Sequence, residues 1–268
     1  MIYIVMGTQG ELIKLAPVAL ELAKREIDFV PVYTGQHGRA TSTLSRVFGL
    51  PEPRRFLRYA EVSTTIGGIG WFARTVMSKF PSYRNRLGHG RDIVLVHGDT
   101  LSTVLGLVLA KKSHLRVAHV EAGLRSHNFL DPFPEEIIRM MVDASSDLLF
   151  APSAVACENL RKMKRKGRIH NTRGNTIVDA IRLSRRLACP TACVPKPYAL
   201  VSIHRFETII SPWRLASVLR LVRFVARFFR IVFIIPKSTR DKIARLGLDK
   251  YVSDNHNIVN LEPLIYPS

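Results

Sequence analysis

Three polar clusters stand between Val94 and Glu136: His97-Gly98-Asp99-Thr100, Glu121-Ala122-Gly123-Leu124-Arg125 and Pro134-Glu135-Glu136. The first two each follow a short apolar run, 92–96 and 115–120, that reads as a buried parallel strand. Parallel sheets bind ligands in the crevice beyond the carboxyl ends of their strands. Further along, His204-Arg205 follows another such run, with Glu207 close behind. Four clusters in loops at strand ends thus supply Asp99, Glu121, Glu135, His204, Arg125 and Arg205. Carboxylates for proton transfer beside cations for a charged leaving group suit an elimination or transfer at a phosphorylated carbon.

Each residue also has a plainer reading. Asp99 could simply N-cap the helix expected from Thr100, and taken alone that reading is preferred. Glu121 directly follows an apolar strand, where a buried carboxylate is costly unless paired, and Arg125 is an available partner. Pro134-Glu135-Glu136 matches a helix start, with acids favoured by the dipole. Gly7-Thr8-Gln9-Gly10-Glu11 opens the first helix, whose free N–H groups favour an anion, and Glu11 suits its first turn by the same dipole. Lys14, one turn in, either reaches a phosphate or solvates. His37, in Thr34-Gly35-Gln36-His37, either faces the crevice or plays a structural part.

The elements needed to position these residues follow a β-α alternation. Apolar, β-branched runs at 2–6, 29–33, 92–96, 115–120 and 147–150 alternate with helical segments near 10–25, 64–80, 100–112, 134–145 and 152–164. This predicts an α/β fold with a parallel sheet covered on both faces. A short strand at 169–172 and a helix at 176–187 follow. The stretch 188–197, with three prolines and two cysteines, reads as a linker. The pattern then restarts with strands at 198–203, 231–236 and 258–261 and helices at 211–229 and 238–246. Two domains are expected, 1–174 and 175–268, the second having only about three strands.

Composition narrows the class. No apolar run approaches the roughly 20 residues of a membrane span. Ile2–Met6 reads as a core strand and not as part of a signal peptide, so cytoplasmic residence is expected. Cys157, Cys189 and Cys193 form no CxxC pair and lack histidines at ligand spacing, so inert thiols are expected and no metal site. The charge is extreme: 40 Lys+Arg against 21 Asp+Glu, net +19. That balance suits nucleic acid, anionic membranes, phosphorylated substrates, or merely a basic surface. The run 161–173 is basic without aromatics for base stacking. Arg220, Arg223, Arg227 and Arg230 fall along one side of a helix. Such a helix either lies on a membrane or packs on a sheet, and sheet packing is the expectation.

The ordered motifs point further. They are Gly7-Thr8…Glu11…Ile13-Lys14…Ala16-Pro17, Thr34-Gly35-Gln36-His37, Val96-His97-Gly98-Asp99-Thr100, His119-Val120-Glu121-Ala122-Gly123-Leu124-Arg125, Pro134-Glu135-Glu136…Arg139, Phe150-Ala151-Pro152, Gly174-Asn175-Thr176…Asp179-Ala180 and His204-Arg205…Glu207. Over nearly the whole chain this set resembles the non-hydrolysing UDP-N-acetylglucosamine 2-epimerases. The resemblance implies two Rossmann-like doubly wound domains of GT-B type with a UDP-sugar between them. It implies interconversion of UDP-GlcNAc and UDP-ManNAc, by loss of the C2 proton with elimination of UDP and then re-addition. Asp99, Glu121, Glu135 and His204 would form the acid/base and electrostatic group. Lys14, Gln36, His37, Arg125, Arg205 and Glu207 would bind substrate. No metal or redox cofactor is implied, and a homodimer is.

This chain departs from the family pattern at three places. Gln9-Gly10 stands where Arg-Pro is usual, Ile138 where an asparagine is expected, and Thr208 where another follows His-Arg-x-Glu. The family also continues past the segment resembling Leu261-Glu262-Pro263-Leu264. It goes on to an Asp-Ser-Gly-Gly-x-x-Glu-Glu loop, an arginine that helps hold uridine diphosphate, and a final helix returning to the first domain. The resemblance therefore implies a shortened chain with its second domain incomplete. Two other readings stay open: a non-catalytic sugar-nucleotide or partner-binding remnant, and a basic binder of nucleic acid or anionic surfaces.

Overall fold

Runs of four or five residues rich in isoleucine and valine are too short for stable helices and fit a pleated, buried sheet. In the computed structural model they form parallel strands. The structure describes residues 1–36, 44–51, 54–55, 70, 72–73, 90–129, 133–163, 167–187, 195–203, 206–253 and 255–262. The first unit runs β1 (Ile2–Met6), α1 (Gln9–Lys24), β2 (Phe29–Tyr33), β3 (Arg54–Arg55), β4 (Ile93–His97), α2 (Leu101–Lys112), β5 (Arg116–Val120), α3 (Glu135–Ser145), β6 (Leu148–Ala151), α4 (Ala154–Lys162), β7 (Arg168–Asn171) and α5 (Thr176–Leu187). Its seven strands lie in the order β3-β2-β1-β4-β5-β6-β7, all parallel. The order reverses direction between β1 and β4, so the loops after these two strands flank the switch point where such sheets bind ligands.

Strand alternation sends Tyr3, Val5, Val94, Val96 and Val117 to one face, where they pack with Val104 and Leu105 of α2 and Ile138 and Val142 of α3. Burying each such side chain contributes roughly 1.5–3 kcal/mol as an upper estimate. Helix α2 is apolar almost all round and is buried accordingly, with Lys111 and Lys112 exposed in its last turn. Its N-cap is Thr100, whose hydroxyl accepts from Thr103 N at 3.2 Å while Thr103 Oγ1 accepts from Thr100 N at 3.3 Å. The expected capping by Asp99 is therefore wrong. The threonine pair satisfies the helix start and leaves the Asp99 carboxylate for other work.

The second unit contains β8 (Tyr198–Ser202), α6 (Phe206–Ile210), α7 (Pro212–Val225), β9 (Arg230–Ile234), α8 (Lys237–Arg245) and β10 (Ile258–Leu261). Its three described strands are parallel in the order β10-β9-β8. Leu215, Leu219 and Val222 of α7, with Ala226, pack on Ile231, Phe233 and Ile258. The helix packs on a sheet as expected, but it ends at Val225 and not at 229, and of the apolar side expected to pack, Leu221, Phe224 and Phe228 stay exposed. By contacts the chain divides into Met1–Arg186 and Leu187–Ser268, which leaves α5 at the end of the first unit. The expected boundary at 174/175 would give it to the second.

Cys157 is a free, buried thiol packed with Ala122, Leu149 and Leu160. The expected helix at 64–80 falls largely outside the described residues, as do Cys189 and Cys193. Among the described residues no helix is long and apolar enough to cross a membrane.

Candidate active site

Glu121, directly after β5, is the point on which four strand ends converge. Its φ is 68°, a left-handed conformation that costs an L-residue roughly 1–2 kcal/mol and must be held by its contacts. Lys14 on α1 donates from Nζ to Oε2 at 2.7 Å. Asn175, in the loop after β7, donates from Nδ2 to Oε1 at 2.7 Å. His97, the last residue of β4, brings Nε2 within 2.8 Å of Oε2. That nitrogen lies off hydrogen-bond geometry for every described acceptor. Burial pushes the Glu121 carboxyl up, but His97 and then Lys14 outweigh it and hold it at about 2. The group is therefore ionised at neutral pH. Lys14, expected to reach a phosphate or solvate, is instead paired here.

The other rim acids differ in their surroundings. Asp99 forms an ion pair with Arg139 of α3. The same guanidinium lies 3.4 Å from Glu136 Oε2, which also accepts from Ser126 N at 3.1 Å. Glu135 opens α3 as its first residue. Its Oε2 is buried and has no hydrogen-bond partner among the described residues. Of the three rim carboxylates Asp99, Glu121 and Glu135, it is the one without a cation partner among the described residues.

One expectation fails. Arg125 does not pair with Glu121. Its guanidinium is taken by Asp143 of α3 at 2.7 Å and by the Leu124 carbonyl at 2.7 Å, and its side chain is 6% exposed. Arg125 can lie inward because Asp143, wholly buried, offers it a full counter-charge. Part of the start of α1 is taken from within the chain. Gly7 N and Thr8 N both donate to Glu11 Oε2 at 2.8 Å, and Glu11 Oε1 accepts from Thr100 Oγ1 at 2.6 Å. Glu11 thus fills its own helix start and links it to that of α2. Gly7 is required there: a Cβ would stand 2.0 Å from both Ser102 Oγ and Thr34 Oγ1.

Gln36 sits beside this linkage, accepting through Oε1 from Ser102 Oγ at 2.6 Å. His37, His204, Arg205 and the side chain of Glu207 lie outside the described residues. Sequence reasoning assigned no role to His97, Asn175 and Arg139. All three carried the signal already used for the acids, namely a polar residue at the carboxyl end of a strand or the start of the helix beyond it. Among the described residues no group of three or more His, Cys, Asp or Glu could hold a metal ion.

The family profile described as UDP-N-acetylglucosamine 2-epimerase matches residues 20–268. A UDP-N-acetylglucosamine 2-epimerase of Bacillus subtilis is 32% identical over 266 residues, covering 97% of this chain and 68% of the relative. The chain belongs to the UDP-N-acetylglucosamine 2-epimerase family. Its fold also matches the crystal structure of the family member from Methanocaldococcus jannaschii in complex with UDP-GlcNAc and UDP. That match has a TM-score of 0.80 at 28% identity, over 99% of this chain and 74% of the other. The epimerase from Neisseria meningitidis bound to UDP-GlcNAc gives a TM-score of 0.82 at 25% identity, over 99% and 73%. The fold is the GT-B type of these epimerases, built from Rossmann-like units with parallel sheets.

Proposed function

We propose that this chain is an isomerase that interconverts UDP-GlcNAc and UDP-ManNAc. The observation that carries the reading is the division of labour among the rim carboxylates. A carboxyl held at about 2 is a weak base, so Glu121 supplies fixed negative charge and keeps Lys14 in place. Asp99 is neutralised by Arg139. Glu135, with one buried oxygen free of any described donor, is the group suited to take a proton from carbon.

In the forward step the C2–H bond breaks and its proton passes to the Glu135 carboxylate. The electron pair forms the C1=C2 bond, and the C1–O bond breaks with its electrons leaving on UDP. A proton then returns to the opposite face of C2 from a second group, for which His204 is the candidate, UDP re-adds at C1, and proton exchange with water resets Glu135 and the donor. No metal or redox cofactor enters this scheme. The reading carries with it a homodimer and residence in the cytoplasm, both resting on family likeness.

The test is incubation of the purified chain with UDP-GlcNAc in D2O. The expected result is UDP-ManNAc carrying deuterium at C2, with Glu135→Gln lowering the rate by about 10²–10⁴. Absence of both the epimer and deuterium exchange would sink the proposal.

A further inference from the structure

The net charge of +19 and the arginine row of α7 have no part in the rim chemistry. Helix α7 already has the stripe it needs for its sheet: Leu215, Leu219 and Val222, continued by Ala226. A helix packed on one side normally turns a polar face to water. This one does not. Positions 213, 217, 221 and 224 of α7, continued by 228 in the turn after it, recur at spacings of four, four, three and four on the outer side, with Ser217 the one polar member. There Trp213 is 73% exposed, Leu221 59%, Phe224 53% and Phe228 66%. The rings of Phe224 and Phe228 pack edge to face with centroids 5.4 Å apart. Arg214, Arg220, Arg223 and Arg227 are exposed beside them, and α7 contains no acidic residue. Arg220 and Arg223 are steadied by the carbonyls of Ala216 and Lys250, not by carboxylates.

We propose that this outer stripe is a docking face for an anionic lipid surface, independently of the epimerase reading. The helix lies in the plane of the interface. Trp213, Leu221, Phe224 and Phe228 enter the boundary between headgroups and acyl chains, and the arginines meet lipid phosphates. Charge complementarity selects this occupant, because every formal charge on the stripe is positive. A second copy docking by the same patch would set arginine against arginine. Nucleic acid is a poorer fit: Leu221 offers nothing to stack, and the two phenylalanine rings are turned edge to face on a convex helix.

The experiment is pelleting of the full chain with vesicles of phosphatidylcholine alone or mixed with phosphatidylglycerol, with tryptophan emission recorded in parallel. Binding is expected on the mixed vesicles, weakening as salt rises, with a blue shift in emission. Trp213→Phe should abolish the shift yet keep pelleting, Trp71 remaining as the internal reference. Phe224→Ser with Phe228→Ser should lower partitioning at least about tenfold at unchanged circular dichroism. If that pair disturbs folding, Arg220→Gln and Arg227→Gln decide, each lowering partitioning about fivefold. Failure to pellet with the mixed vesicles overturns the proposal. So does pelleting indifferent to both pairs, or tight binding to duplex DNA that the same substitutions abolish.

Discussion

Asp143 and Glu121 each face one histidine and one cation: His119 and Arg125 for the first, His97 and Lys14 for the second. Both carboxyls are held below their ordinary range against the upward push of burial. The difference lies in closure. Asp143 is wholly buried, with His119 Nδ1 at 2.6 Å on Oδ1, and Arg125 at 2.7 Å and Gly123 N at 3.0 Å on Oδ2. His119 Nε2 in turn donates to the Gly98 carbonyl at 2.9 Å. One saturated carboxylate thereby ties together the loops that carry Asp99 and Glu121. The Glu121 carboxylate remains 12% exposed, held by a lysine that is itself 27% exposed and by a histidine nitrogen 2.8 Å away but off hydrogen-bond geometry. A lowered pKa alone does not separate an acid that builds the scaffold from one that serves the site. Satisfaction of its oxygens and contact with backbone do.

The sharpest way to break this contrast is Asp143→Ala. It strands His119 and Arg125 as buried groups without a counter-charge and leaves Gly123 N without its acceptor. The expected cost is about 3–5 kcal/mol of stability, read from the midpoint of urea unfolding. If the variant unfolds no more easily than Glu121→Gln, the scaffold role is wrong.

Glu121→Gln should act the other way. Its oxygens keep hydrogen-bonding capacity and some access to water, so the fold survives. The fixed charge that orients Lys14 is lost, and turnover in the epimerase assay should fall by about 10²–10³. A fall in turnover matched by a comparable loss of stability would put Glu121 in the same class as Asp143.

The contrast was half legible in the sequence. The rim acids stood out because a carboxylate just after an apolar strand breaks the burial pattern, and the loops around them are fixed by local β-α connections. Asp143 did not stand out. It sits mid-helix beside Val142, where one acid in an amphipathic helix looks like part of the wet face. Its seven-residue spacing from the equally buried Glu136 was the available clue. The inward turn of Arg125 was hidden for a related reason: a cation one turn from Glu121 in sequence looked like its partner, whereas the true partner lies 18 residues on. Capping of α2 by Thr100 over Asp99 turned on a reciprocal threonine pair, which local propensity does not rank.

The pH dependence of stability tests the charge state of Glu121. Its folded value of about 2 lies below the ordinary glutamate value of 4.5. A depressed carboxyl stabilises the fold above its unfolded value and loses that contribution as pH falls through the folded one. The window is therefore pH 4.5 down to about 2. Asp143 shifts in the same direction, so both the wild type and Glu121→Gln lose stability on acidification. The informative quantity is the difference between them, which should shrink across that window in urea unfolding at stepped pH. A difference that stays constant to pH 2 would mean that Glu121 is not held ionised by its neighbours.

Asn175→Ala should have the smallest effect. It removes one neutral donor from a charged oxygen, a bond worth about 1.5–3 kcal/mol where water cannot replace it. At Glu121 water can, because the carboxylate reaches the surface, so the loss belongs at or below the low end of that range. Turnover should drop several-fold, well short of Glu121→Gln, since Lys14 and His97 still fix Oε2. A stability loss as large as that of Asp143→Ala would mean that water does not reach Oε1. Glu121 would then be a closed carboxylate, and the site would lose its open acid.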